Sequence, residues 1–104
     1  MTQTIPNPAR FREQAENAAR LLKAMANEHR LMILCRLGEN ELPAGALLEE
    51  TTLSQSALSQ HLAVLREESL VSTRRESQTI FYRISDPAAM KLIAVLAGIF
   101  CPED

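Results

Sequence analysis

LPAGALLEETTLSQSALSQHLAVLREESLV, residues 42–71, holds two short helical patterns separated by one break, and the reading of that break decides the fold. Pro43 opens the first pattern, AGALLEE, which Thr51-Thr52 ends. Ser54 then stands as an N-cap, its oxygen suited to an orphan backbone amide of the next helix. That helix, QSALSQHLAVLREES, carries Leu58, Leu62 and Leu65 in one apolar row. With those leucines inside, Gln55, Ser56, Ser59 and Gln60 face outward, and the first seven residues carry no charge. An ordinary solvated face would be rich in Lys and Glu. Gln can pair bidentately with adenine, and Ser is small and permissive beside base edges. Ser54 offers a phosphate contact as well as a cap. His61 completes the candidate DNA-reading set, with packing or a backbone contact as its rival role. A polar solvent face remains the bland alternative for the whole helix.

Two strand-like runs follow, LVSTRRE and QTIFYRI. In the second, Ile80, Tyr82 and Ile84 alternate with Phe81 and Arg83. Their join, Glu76-Ser77-Gln78, lacks the Asn-Gly or Asp-Gly of a tight hairpin, which leaves its turn type open. Arg74 and Arg75 suit phosphate or minor-groove contact, or the solvated edge of a strand. Two closely spaced helices followed at once by a hairpin is the layout of a winged helix-turn-helix.

The flanking segments read as helices. Asn7-Pro8 is a cap followed by proline at the first helical position. Phe11, Ala15, Ala18, Leu22 and Met25 then make one continuous stripe. Asn27 caps a second helix that runs to a stop at Gly38. Asp86-Pro87 opens a last helix with Leu92, Ile93, Leu96, Ile99 and Phe100 as its apolar side. The expected architecture is mainly α with a β-hairpin wing, in the order ααααββα. It forms a single domain over residues 1–104, with the helix-turn-helix at about 43–68, the wing at about 70–84 and terminal helices at about 8–25 and 87–101. The stripes on those terminal helices exceed what one small domain needs to bury.

Composition agrees with a packed domain: 104 residues are 46% hydrophobic, with a net charge of −2. That charge argues against indiscriminate binding to nucleic acid. Residues 54–83 nonetheless carry four arginines (Arg66, Arg74, Arg75 and Arg83) against three glutamates, so the proposed reading region is the least acidic. MTQTIPNP shows no secretory pattern, and LIAVLAGIF is too short to span a bilayer. A cytoplasmic protein without membrane contact is expected, and thiols are normally reduced in that compartment.

SQSALSQHLAVLREESLV followed by RRESQTIFYRI resembles the recognition helix and wing of the ArsR family of bacterial repressors. LLKAMANEHRLMILCRL is similar to the family's first-to-second helix segment, and the resemblance covers roughly residues 18–101. Within the family, LLKAMANEHRLMILC, LSQSALSQHL, RRESQTIFY and the closing IFC look most like the HlyU/BigR/SqrR-type subgroup. The resemblance implies a homodimer joined through the first and last helices, bound to double-stranded DNA at an inverted-repeat operator. It implies a repressor, although the residues suit an activator or anti-repressor equally.

Many members of the family sense metals through a third-helix motif that reads ELCVCDL. Here the matching stretch is ELPAGAL, residues 41–47, with Pro43 and Gly45 where the cysteines would be. The alternative site on the last helix needs histidines, and DPAAMKLIAVLAGIFCPED has none. Two Cys and two His, His29 and His61, are also a thin supply for zinc. No metal or other cofactor is expected; a metal-responsive or non-sensing regulator is the alternative.

Cys35, in LMILCRL, lies four residues after Leu31 and faces the same way; read alone, it is best taken as a small buried core residue. Cys101 continues the row Ile93, Ala97, Cys101, close to a charged chain end where burial is less natural. The subgroup resemblance implies that this pair is a dithiol switch, joined by oxidants or reactive sulfur species to weaken operator binding. Rival readings are a thiol peroxidase or sulfur-transfer enzyme, which would need an activating base near a cysteine, and an interaction module that does not read DNA. An enzyme is not expected.

Overall fold

Residues 7–102 are described by the computed structural model. Asn7 caps α1 (Pro8–Arg12), its side-chain oxygen accepting from the amides of Ala9 and Arg10. The chain turns at Glu13-Gln14 and continues as α2 (Ala15–Met25). The single helix expected over 8–25 is therefore two. At the break, Glu13 N–H bonds back only three residues to Arg10, and Gln14 N–H to Phe11. Phe11 is the one large apolar residue of this segment and stays 49% exposed. With no residue fully buried, the first turns have little of the tertiary packing that sustains short helices.

Asn27 caps α3 (Glu28–Leu37), and Gly38 ends it in the left-handed region at φ 53. A two-residue strand, β1 (Leu42–Pro43), comes next, so Pro43 belongs to an edge strand and α4 (Ala44–Glu49) begins one residue later than expected. Ser54 caps α5 (Gln55–Glu67) by accepting from Ala57 N–H at 3.1 Å. Strands β2 (Val71–Glu76) and β3 (Thr79–Ile84) form the hairpin, and β1 adds to β3. The antiparallel register pairs Leu42 with Tyr82, and Val71 with Ile84. Asp86 caps α6 (Pro87–Phe100). Two helices, a short turn and a hairpin thus form a winged helix-turn-helix, with β1 as an extra edge strand. Among the described residues no helix is long and apolar enough to cross a membrane.

The core lies where α3, α5 and the hairpin meet. Leu34, Leu37, Leu58, Leu65, Leu70 and Val71 are all less than 2% exposed. Burial of Leu58, Leu62 and Leu65 fixes which side of α5 faces out. The C-terminus of α5 is closed by crossed bonds, Leu70 N–H to Leu65 O at 2.9 Å and Ser69 N–H to Arg66 O at 3.0 Å. This is a Schellman motif, with Leu70 and Leu65 as its buried apolar contact.

The motif places Ser69 at φ 64, where its Cβ is disfavoured and glycine is not. Ser69→Gly is expected to stabilise by about 0.5–1 kcal/mol after glycine's greater unfolded-state freedom is subtracted. Thermal unfolding at fixed protein concentration would show this as a midpoint raised by a few degrees.

Candidate nucleic-acid interface

Helix α5 presents a continuous polar surface beside the wing. Ser54, Gln55, Ser56, Ser59 and Gln60 are all exposed. The hydroxyl oxygen of Ser54 accepts from the helix, leaving its O–H free to donate outward. On the wing, Arg75 is exposed, and its Nε donates to Ser77 O at 3.0 Å. On α5 the exposed residues lie away from the buried Leu58, Leu62 and Leu65.

Two further candidate contacts also have partners within the protein. Arg74 Nε donates to both carboxylate oxygens of Glu41, at 2.7 and 2.9 Å. Its guanidinium lies 4.7 Å over the Phe81 ring and 3.6 Å from Glu76. Arg74 thereby ties the wing to the loop before β1. His61 is half-buried on the flank of α5 that faces α3, with Arg30 Nη1 3.3 Å from its Nδ1. The His29 ring lies 5.6 Å away. Burial lowers the pKa of His61 below its ordinary 6.5, and the nearby charges of Arg30 and His29 push it the same way. The sequence singles out neither Glu41 nor Arg30: both partners lie some thirty positions from the residues they hold.

Cys35 is a correction to the core reading, because it is exposed and its thiol is free. The physical cause is the position of its neighbours. Ile33, Leu34 and Leu37 are buried, and at 100° per residue Cys35 points roughly 150° away from their centre. It shares its face with Leu31, which borders an apolar groove formed with Leu22, Met25 and Ala26 and with Leu92, Val95 and Leu96 of α6. Cys101 follows α6 as its C-cap and is also exposed with a free thiol. Both sulfurs are thus open to reagents, on the two helices that border one groove. Among the described residues no group of three or more His, Cys, Asp or Glu is placed to hold a metal ion.

The comparisons with known proteins agree with this architecture. Residues 27–73 match the model of the bacterial regulatory protein, arsR family. The chain is 50% identical over 97 residues to the transcriptional activator HlyU of Vibrio cholerae, covering 90% of each protein. It is 45% identical over 101 residues to the biofilm growth-associated repressor of Agrobacterium fabrum, covering 96% of this chain and 86% of that one. The structure of reduced HlyU from Vibrio cholerae superposes with a TM-score of 0.84 at 50% identity, over 88% of this chain and 97% of that chain. The chain belongs to the arsR family of bacterial regulatory proteins and is a DNA-binding transcriptional regulator.

Proposed function

We propose that this regulator is a homodimeric repressor that reads an inverted-repeat operator and releases it when Cys35 and Cys101 become joined. The observation that carries the switch is the exposure of both thiols, one on α3 and one at the end of α6. Reactive cysteines need access as well as a thiolate. In the joining step the two thiols lose two protons and two electrons. Peroxide takes the electrons and leaves as water; inorganic polysulfide takes them and leaves as sulfide, with or without sulfur atoms retained in the link. A plain disulfide requires Cα atoms within about 7 Å, whereas a sulfur-inserted bridge spans further.

Intact-mass measurement after separate exposure to peroxide, glutathione disulfide and inorganic polysulfide tests the chemistry. The expected product is a linked Cys35–Cys101 peptide pair, heavier by whole sulfur atoms after polysulfide. Unlinked peptides under all three reagents would refute the switch.

For DNA reading, Gln60 and Gln55 serve as base contacts, Ser54, Ser56 and Ser59 as close polar contacts, and Arg75 as the wing's phosphate or minor-groove contact. Arg74, held by Glu41 and Phe81, shapes the wing. Gln60→Ala is expected to cost about 1–3 kcal/mol at one operator position, as loss of a bidentate base contact does. Arg75→Ala is expected to flatten the salt dependence of binding by about one ion per subunit, while Arg74→Ala leaves that slope near the wild-type value. Titration of labelled operator DNA between 50 and 200 mM salt reads both; equal slopes for the two variants would contradict the assignment.

A further inference from the structure

One guanidinium joins three helices on the side of α5 turned away from the polar surface. Arg30 Nε donates to Ala24 O at 2.6 Å, and Nη2 reaches Lys23 O at 3.5 Å, both in the last turn of α2. Those carbonyls have few intrahelical partners, and a cation suits that end of a helix. The third arm points at His61 Nδ1 on α5. Arg30 is itself set by Asn27, whose side chain accepts from its backbone N–H at 3.1 Å.

We infer that Arg30 is a positioning residue for DNA reading, holding α5 at a fixed rotation against α2 through the acceptor nitrogen of His61. The leucines that bury α5 supply attraction without direction. The guanidinium supplies direction. A rotation of α5 by ~20° would carry a side-chain tip at a radius of about 6 Å through about 2 Å, enough to break a base contact. His61 immediately follows Gln60, so the lock sits beside the residue that most needs alignment.

The chemistry also fixes a protonation state. Arginine has only donors, so the contact is attractive only while Nδ1 keeps its lone pair and His61 is neutral. The charged and titratable groups along this seam are Arg20 and Lys23 of α2, His29 and Arg30 of α3, and Glu68, the C-cap of α5. Glu68 is turned to Arg20, at 3.9 Å, and the remaining neighbours are basic. Protonation of His61 thus removes the acceptor and adds a like charge. Burial and both neighbours lower the His61 pKa, so the neutral form holds at pH 7 and the lock opens only as pH falls below the ordinary 6.5. Operator affinity is expected to fall on acidification. A histidine that touched phosphate directly would give the opposite sign.

The inference rests on DNA reading alone and not on the cysteine switch, so the test uses fully reduced protein. The probe is inverted-repeat DNA selected by the wild-type protein from a random-sequence library, with scrambled DNA as the non-specific reference. Arg30→Met is expected to lower specific affinity roughly ten- to hundred-fold, with little change towards scrambled DNA. Arg30→Lys, which lacks the fork needed for three acceptors, is expected not to rescue it. His61→Asn keeps an acceptor near Nδ1 without titrating; it should bind like the wild type at pH 7.5 and lose the fall that the wild type shows as pH is lowered below 6.5. His61→Ala should be weakened at every pH. Where Arg30→Met fails to fold, the two His61 variants decide alone. Wild-type affinity that rises on acidification, a His61→Asn profile identical to the wild type, or a His61→Ala protein of full affinity would each overturn the inference.

Discussion

Val95→Asp is expected to yield a folded monomer whose operator affinity is lowered by more than about 100-fold. Helix α6 carries one charge, Lys91, in fourteen residues, a composition suited to burial on all sides. Only part of it is covered within one chain: Ala89 is fully buried, and Leu92 and Ile93 pack on the core. Val95, Ile99 and Phe100 remain 56, 62 and 76% exposed, with Leu22 of α2 beside them at 54%. A second copy of the same face would cover this surface. An aspartate there would be desolvated without a partner, which a dimer interface does not tolerate. Because Val95 is more than half exposed in the single chain and lies outside the core, the substitution removes little of the monomer's own packing. Loss of the dimer matters for DNA because the second head binds at a high effective concentration once the first is seated. Sedimentation for the oligomer, circular dichroism for the fold and anisotropy for DNA separate the three effects. A Val95→Asp protein that stays dimeric with full affinity would place the dimer contact elsewhere.

Local chemistry was enough to read the centre of this fold. Ser54 caps α5, and Leu58, Leu62 and Leu65 all reach the core, because cap and period belong to a few consecutive residues. Asn27, Gly38 and Asp86 mark their helix ends for the same reason. The features that escaped depend on distant partners or on their lack. Strand β1 is two residues long and includes a proline; only its pairing with Tyr82 and Phe81 makes it a strand. The stripe from Phe11 to Met25 is regular in sequence, yet α1 breaks from α2, and no residue of α1 reaches the core. Cys35 shares its face with Leu31, but whether that face is covered depends on α6, more than fifty residues away in sequence. At the DNA-reading surface, residue type identifies Gln55 and Gln60 as available. It cannot show that Arg74 is held by Glu41, or that His61 is turned toward Arg30.

In the dithiol proposal, inorganic polysulfide is expected to release operator from the wild type while Cys35→Ser and Cys101→Ser both keep hold of it. Each thiol is exposed, so serine removes no core packing, and reduced-state affinity should be unchanged in both variants. Neither variant can form the intramolecular link, because serine supplies no thiolate and the remaining cysteine has no partner. The expected loss of wild-type affinity is about 5–150-fold, the range of a coupling of ~1–3 kcal/mol. The structure suggests how a link would act. Cys35 sits on α3, whose first turn bears Arg30 and through it contacts α5; Cys101 ends α6, on the proposed dimer face. Joining them fixes the reading head relative to the dimer axis, and two heads must meet half-sites about one helical turn apart. A small enforced rotation at each head is doubled across the operator. Anisotropy titrations before and after treatment measure the release, and a reductant should restore binding. Release of both serine variants by the same treatment would show that polysulfide acts elsewhere. A covalent dimer on a non-reducing gel would instead place the link between subunits, where it would fix the two heads against each other directly.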